Sequence, residues 1–503
     1  MEAQGAQGGS TRRLITTWAA RIAAGAGLLL AFVGVVVVVR ALTAAPRAAP
    51  VEPLDIDHEV DAQAAVTRLS EALALPTISP ADPDDDVTPF VLLRRKLESD
   101  FPTFHERAQR TLVGGLTLHF VLEGSERDAG HVVFLAHQDV VPVEEGTHDD
   151  WVHPPFSGAV ADGYVWGRGA LDNKQNMMAL LEAAEMWLAA GGRSEHTLHF
   201  VFGHDEEIGG LDGARAVADA MNEEELDVVA VYDEGLVIVD GLVPGIDGRV
   251  ALVGITERGY LTVEISATAE GGHSSMPPDE LAVVRLADAL AALDANPLPA
   301  AIDGPTRMMF DWTAPKMGFS HRLIFRNLWL FERLVLSQMT KNPGTHAAVR
   351  TTAAPTMLRA SDRENVLPQR AVATVNFRLN PRDRIEDVLD YLEDLIGDDA
   401  VSVRAVGDMR SEPSPLARLE GAGFDALRRA LATTHPEVPL APNMVTGATD
   451  SRHFADLTAD IYRFSPMILG ESDLPRLHGT NERIAVDDYL DLIDYYAALL
   501  SQW

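Results

Sequence analysis

The chain contains no cysteine. That excludes a disulfide framework and a thiolate metal site, so any metal must be held by histidine and carboxylate. Positive charge is scarce. Lys and Arg number 41 against 75 Asp and Glu, giving a formal net charge of −34 over 503 residues. Phosphate is neutralised by Lys and Arg, so this balance argues against a nucleic-acid partner. It fits a solvated, soluble surface. Internal repeats and long low-complexity tracts are absent, which speaks against a solenoid. The apolar fraction, 47%, suffices for a large core and more than one domain.

One apolar run stands apart. Between Arg21 and Arg40 lies "IAAGAGLLLAFVGVVVVV", uncharged throughout. Its length can cross a bilayer. A cleaved signal peptide has a shorter apolar core of about 7–15 residues, so a membrane anchor is the favoured reading and secretion after cleavage the alternative. Arg12, Arg13 and Arg21 precede the run, and Arg40 and Arg47 follow it. The bias favours an inside amino terminus and an extracytoplasmic body. "ALTAAPRAAPVEP" then reads as a linker.

Two textures follow. "HVVFLAH", "HTLHFVFGH" and "DVVAVYDEG" read as buried strands, separated by helical stretches such as "NMMALLEAAEMWLAAGG". The alternation predicts an α/β layer with a mostly parallel central sheet, whose site lies beyond the strands' carboxyl ends. From about residue 258, "GYLTVEISATA" and "AVATVNFRLN" alternate with period two, and "DELAVVRLADALAALDA" and "RIEDVLDYLEDLIG" are amphipathic. The expected organisation is an anchor and linker over 1–50, a catalytic domain over 51–257, an inserted α+β domain over 258–408, and a return to the catalytic domain over 409–503.

Acids and histidines stand at the ends of these strands. "AHQDVVP" places His137 and Asp139 two apart, on one face of an extended chain. Alone, such a pair is usually a surface loop. Asp172 in "GRGALDNK" precedes a helix and reads equally well as an N-cap. "FGHDEEIGG" carries Asp205, Glu206 and Glu207 side by side, like charges that need a positive partner. "VYDEG" adds Asp233 and Glu234, and "LHGTNERI" adds His478. Together they make a plausible oxygen-and-nitrogen cage for two divalent ions.

The blocks "AHQDVVP", "GRGALDNK", "GHDEEIGG", "YDEG", "GGHSSMPP", "NVLP", "TDSRHF" and "HGTNERI" occur in the order found in the dinuclear zinc peptidases of the aminoacylase and carboxypeptidase S family, which this sequence resembles over roughly residues 60 to 500. The resemblance extends to a branch that cleaves and forms N-fatty-acyl amino acids. It implies two zinc ions per chain. His137 and Asp233 would bind one, Glu207 and His478 the other, and Asp172 would bridge them, with a cis peptide bond at Asp172–Asn173. Glu206 would be the general base acting on a metal-bridged hydroxide, and Asp139 would orient His137. His273 would stabilise the oxyanion, arriving from the partner subunit where relatives dimerise; on residues alone it reads as a turn histidine. Arg452 and Asn365 would grip a substrate carboxylate, although a surface ion pair and a turn asparagine are the commoner fates of such residues.

The expected activity is therefore hydrolysis, with formation in reverse, of the amide bond of N-acyl amino acids. A carboxypeptidase S-like exopeptidase on extracytoplasmic peptides is the alternative within enzymes, and a tethered ligand-binding protein the alternative outside them. The implied partners are a small-molecule N-acyl amino acid or peptide, the membrane through the amino-terminal helix, and a second copy in a homodimer. Residues 308–336 hold four Phe and two Trp. They read as an acyl-chain channel or rim, or else as a helical core or a contact with membrane or partner.

Overall fold

The computed structural model describes residues 8–56, 59–82 and 84–503. The strands that carry the fold are, in chain order, β1 (Gln109–Val113), β2 (Thr117–Leu122), β3 (His131–His137), β4 (Thr197–Gly203), β5 (Val228–Asp240), β6 (Arg249–Glu257), β7 (Gly259–Thr268), β8 (Thr352–Arg359), β9 (Arg370–Leu379), β10 (Val401–Ser411), β11 (Leu440–Val445) and β12 (Ile461–Leu469). The helices used below are α1 (Gly8–Leu42), α2 (Lys174–Ala189), α3 (Ala282–Ala295), α4 (Gly304–Thr313), α5 (Phe319–Phe325), α6 (Leu328–Met339), α7 (Ile385–Ile396) and α8 (Val486–Leu500).

The central sheet has the order β1-β2-β4-β3-β5-β12-β6-β11. It is mixed rather than mostly parallel. β4, β3, β5 and β12 run parallel at its centre, as do β6 and β11. β1–β2, β2–β4 and β5–β6 pair antiparallel. At the β1–β2 edge the cause is local: Gly114 and Gly115, both at positive φ, turn β1 straight back into β2. The central strands are largely apolar and buried on both faces, as parallel strands covered on both sides require. Helices α2 and α8 cover one face, and α2 is buried along nearly its whole length.

A second, antiparallel sheet has the order β8-β9-β7-β10. Its period-two pattern points Leu261, Val263 and Ile265 with Ala373, Val375 and Phe377 into one core, closed by α3 and α7. Phe377 is fully buried there; truncating such a residue to Ala costs about 3–5 kcal/mol.

Between α3 and β8 the chain makes a helical insert, α4 to α6, with a small core of its own. The insert does not join the second sheet. α4 packs on β11 of the central sheet, and α5 packs on α1. The stretch expected as one inserted unit thus divides into a sheet and a helical body.

Candidate metal centre

Five chain segments converge at one end of the central sheet. β3 ends on His137. Its Nδ1 lies 2.9 Å from the Asp139 carbonyl oxygen and 3.3 Å from the Asp139 carboxylate. Those acceptors leave Nε2 facing the other acids. The Asp139 carboxylate accepts from Ser79 Oγ at 2.6 Å and from the Glu207 backbone N–H at 3.1 Å, so it ties His137 to the glutamate turn.

Asp172 sits two residues before α2, next to its N-cap Asn173, and the Asp172–Asn173 peptide is cis. Its carboxylate spans two histidines. Oδ1 lies 3.0 Å from His137 Nε2, and Oδ2 lies 3.0 Å from His478 Nε2. The loop is fixed from behind by Glu482. That buried carboxylate accepts from the backbone N–H groups of Gly169, Leu171 and Asp172 and pairs with Arg168. Arg168 also donates to the His478 carbonyl at 3.0 Å. One buried pair therefore positions the segments that carry Asp172 and His478.

The neighbouring glutamates diverge. Strand alternation predicts that they face opposite ways, but β4 has already ended, and Glu206–Ile208 is a single 3₁₀ turn. A 3₁₀ turn rotates successive side chains by about 120°. Glu207 Oε2 lies 3.2 Å from His478 Nε2, and its buried Oε1 has no hydrogen-bond partner. Glu206 Oε2 lies 4.0 Å from His137 Nε2 and faces the cavity. The glycine pair has a steric cause: Gly210 has φ +66, and a Cβ there would meet Asp450 Oδ1 at 2.0 Å. Asp205 closes the same turn, accepting from the Asp212 N–H at 2.8 Å.

Asp233 does not stand opposite His137. Glu234 does, with Oε1 3.2 Å from His137 Nε2. Asp233 instead accepts from the Glu234 and Ser451 backbone N–H groups, both at 2.9 Å. The reason is a bulge. In the β5–β12 ladder Asp233 pairs with Arg463 and Leu236 with Phe464, so Glu234 and Gly235 bulge out of register. Bulges re-aim side chains beside active sites. Gly235 has φ +137, and a Cβ there would meet Arg463 Cβ at 3.0 Å. That glycine inside an apolar strand is the sequence signal that marks the bulge.

Two ligand clusters result, His137–Asp172–Glu234 and Asp172–Glu207–His478, sharing Asp172. The acids outnumber the cations, and the protonation states reflect it. Burial works against a charge on His137, but Glu234, Asp139 and Asp172 outweigh it and raise its pKa well above the usual value. Hydrogen bonds to Asp172 and Glu207 raise His478 to about 10. Burial, with Asp172 nearby, pushes Glu234 up to about 7. Burial, with Asp450, Glu234 and Glu207, drives Glu206 well above the carboxylate range against the pull of His137. Oxygen and imidazole donors with one carboxylate between two clusters, and an unpartnered Glu207 oxygen, fit a pair of divalent ions.

A cavity of about 610 Å³ opens onto Asp172, Glu206, Glu207, Glu234 and His478. One wall is apolar: Leu236, Val237 and Val239 of β5 face Val445, Met467 and Leu469. Arg452 and, from the second sheet, Arg378 supply positive charge. Arg378 stacks over the Tyr260 ring at 4.5 Å, and Arg452 donates to the Gly209 carbonyl at 2.7 Å. Residues 308–336 do not line this cavity. His273 and Asn365 do not line it either. They sit together, exposed, on the two-residue strand pair Gly272–His273 and Val366–Leu367, where the Ser274 N–H donates to the Asn365 carbonyl.

A family model described as Peptidase family M20/M25/M40 matches residues 133–502. Probable carboxypeptidase S-like 2 of Dictyostelium discoideum is 36% identical over 438 residues, 86% of this chain and 84% of that protein. N-fatty-acyl-amino acid synthase/hydrolase PM20D1 of Xenopus tropicalis is 36% identical over 439 residues, 86% of this chain and 85% of that protein. The crystal structure of an M20 family metallo-carboxypeptidase, Sso-CP2 from Sulfolobus solfataricus, is similar with a TM-score of 0.61 and 19% identity, covering 87% of this chain and 98% of that one. At that identity the likeness is one of fold.

Proposed function

The chain belongs to peptidase family M20/M25/M40, an amide-hydrolysing family, and on that premise we propose that it cleaves, and in reverse forms, the amide bond of N-fatty-acyl amino acids. The observation that carries the reading is the apolar wall of β5 running directly into the two acid–histidine clusters. An acyl chain would lie on Leu236, Val237 and Val239. The amino acid's carboxylate would meet Arg452 and Arg378, since guanidinium forks suit that group.

His137, Glu234 and Asp172 would hold one zinc ion, and Asp172, Glu207 and His478 the other. When bound, such a pair lowers the pKa of water and polarises a carbonyl. Asp139 keeps the His137 Nε2 lone pair turned to the cluster. Glu206 takes a proton from the attacking water and returns it to the departing amine; microscopic reversal of those two transfers gives synthesis. His273 would stabilise the oxyanion. Because it lies outside the cavity of its own chain, with Asn365 beside it, a homodimer in which a second copy presents both is the fitting arrangement.

The domain plan proposed is an anchor and linker over 1–50, a catalytic body over 51–257 and 409–503, and a lid or dimerisation unit over 258–408. α1 would span the membrane, with the body outside the cytoplasm. The 20 residues Ala23–Leu42 have the length and composition for it.

An exopeptidase reading is favoured by the carboxypeptidase S-like relatives and uses the same site. The two readings part on substrate. Hydrolysis of N-oleoyl-phenylalanine, N-acetyl-phenylalanine and a dipeptide would be followed by mass spectrometry, with metal analysis of the same sample. A kcat/KM for the oleoyl substrate at least tenfold above the other two is the expected result. Equal values across the three would overturn the acyl reading.

A further inference from the structure

The helical insert carries apolar residues on its outer face. On α6, Leu328 and Val335 point into the insert's core, while Trp329, Leu330 and Leu334 are 54%, 48% and 52% exposed along the opposite face. Phe319, at the start of α5, is 47% exposed. A solvated helix turns polar residues outward, so this face is inverted.

Its charge is also inverted. Residues 304–341 hold six Lys and Arg (Arg307, Lys316, Arg322, Arg326, Arg333, Lys341) against Asp311 and Glu332, in a chain whose net charge is −34. Arg47, Arg307 and Arg326 converge on Asp311, at 3.0, 3.6 and 3.6 Å. Arg40 donates to the Arg326 carbonyl at 3.2 Å. One acid among four arginines leaves a surplus of positive charge. Burial, with repulsion from Arg47, Arg40 and Arg307 and against the attraction of Asp311, holds the Arg326 guanidinium below its ordinary value.

What occupies this face follows from where the insert meets α1. Val37 and Ala41 are buried, with Val33 and Val36 half-buried beside them, and Asn327 Nδ2 donates to the Val37 carbonyl at 3.0 Å. Those positions fall in the last part of the apolar stretch Ala23–Leu42. At ~1.5 Å per residue the stretch is about as long as the hydrocarbon core is thick, and Val33 to Ala41 covers its last ~12 Å. What packs on those residues is held within about 12 Å of the end of the span that leads into the body. Aromatic and aliphatic side chains with a basic border are the composition of an interfacial helix.

We propose that the insert is a bilayer-docking face: Phe319, Trp329, Leu330 and Leu334 enter the interfacial layer, and the arginine cluster at the foot of α1 meets anionic lipid headgroups. The inference rests on the reading of α1 as a membrane span. It also gives the aromatic stretch its place. α4 of the same insert packs Met309 and Trp312 on the small core that Val237, a cavity-lining residue, also packs against, which links the docking face to the cavity's apolar wall.

The absence of cysteine makes the test direct. Single cysteines are introduced in the full-length chain as L330C, L334C, L28C within the span, and V283C on α3 as a surface control. Each carries a fluorophore in nanodiscs of phosphatidylcholine with or without phosphatidylglycerol. An aqueous quencher and a lipid-borne nitroxide quencher are applied in turn. Labels at 330 and 334 should be at least threefold less open to the aqueous quencher than the label at 283. They should also be quenched by the nitroxide lipid, more strongly when phosphatidylglycerol is present. The triple variant R40Q/R47Q/R307Q should lose that lipid dependence while keeping its nitroxide quenching at 28. Labels at 330 and 334 as open as that at 283, with 28 shielded, would leave the span intact and overturn the docking face. Shielding without nitroxide quenching would mean that protein, such as a second copy, covers the face, and would overturn it too. An open label at 28 would remove the span and the docking face with it.

Discussion

Glu207 Oε2 lies 3.2 Å from His478 Nε2, whereas the adjacent Glu206 reaches only the edge of the cluster, 4.0 Å from His137. Two neighbouring carboxylates of one turn thus face different places, and the proposed roles differ accordingly. Glu206→Gln should keep the metal content of the wild type and lose about 10²–10⁴-fold in amide hydrolysis. Glu207→Gln should lower the metal content itself. Mass-spectrometric metal analysis alongside turnover separates the two. Unchanged turnover in the metal-replete Glu206→Gln protein would end the general-base assignment.

Glu234 and Asp233 form a second pair whose tasks separate. Glu234→Ala should release about one metal equivalent per chain, because it removes the carboxylate opposite His137. Asp233→Ala strips the acceptor from two backbone N–H groups and should cost about 1–3 kcal/mol of stability for each group left unpaired. Urea unfolding of both variants in chelator, together with metal content, checks this. Metal loss confined to Asp233→Ala would reverse the assignment.

Leu236 faces the cavity from the bulged stretch of β5. Leu236→Trp adds bulk where the acyl chain would lie. It should reduce kcat/KM for N-oleoyl-phenylalanine more than tenfold and leave N-acetyl-phenylalanine within about threefold, an effect of pocket volume of the size that apolar sites discriminate. Steady-state kinetics on the two substrates decides. An equal loss on both would place Leu236 in the support of the metal ligands instead.

Three histidines lie in a row across the sheet, away from the metal centre. His199 Nδ1 is 2.9 Å from His119 Nε2, and His199 Nε2 is 2.9 Å from His131 Nδ1. Burial holds His119 down to about 4, and burial with its two histidine neighbours holds His199 down to about 3. Both folded-state values lie below the unfolded one, so the unfolded chain binds more protons in this range. The stability they contribute is present above about pH 6.5 and is lost as pH falls through that value. Between pH 7.5 and pH 5 the loss is about 2 kcal/mol for each of His119 and His199. Urea unfolding of the metal-free protein at both pH values, for the wild type and His119→Gln/His199→Gln, measures it. The variant should lose roughly 4 kcal/mol less than the wild type over this range. An identical loss in both proteins would assign the acid sensitivity elsewhere.

Much of the centre is legible in the chain because the central strands run straight from apolar core into acid or histidine. His137, Asp172, Glu207 and His478 meet in space as their blocks suggest. "YDEG" offers two acids, and the sequence reading favours Asp233, whereas a bulge brings Glu234 rather than Asp233 opposite His137. Glu482 and Arg168 are missed because they carry the site from behind, through backbone groups and each other. Arg378 and Tyr260 belong to the second sheet and reach the cavity only after it is packed against the first. The aromatic stretch is legible as apolar surface but not as to where that surface faces.

By itself the sequence determined the donor set, the scarcity of positive charge, the apolar span and the alternation that makes an α/β layer. These are properties of residue types and their local period, and no distant contact is needed to set them. The tertiary structure alone decided which acid of each neighbouring pair faces the centre and which face of the insert stays uncovered. The register of β5 is fixed by Arg463 and Phe464 on β12, far along the chain. The insert's orientation is set by α4 packed on β11, with Asn327 donating to the Val37 carbonyl of α1. A side chain's direction in such places is set by what packs behind its backbone, and that partner is not written in its neighbours.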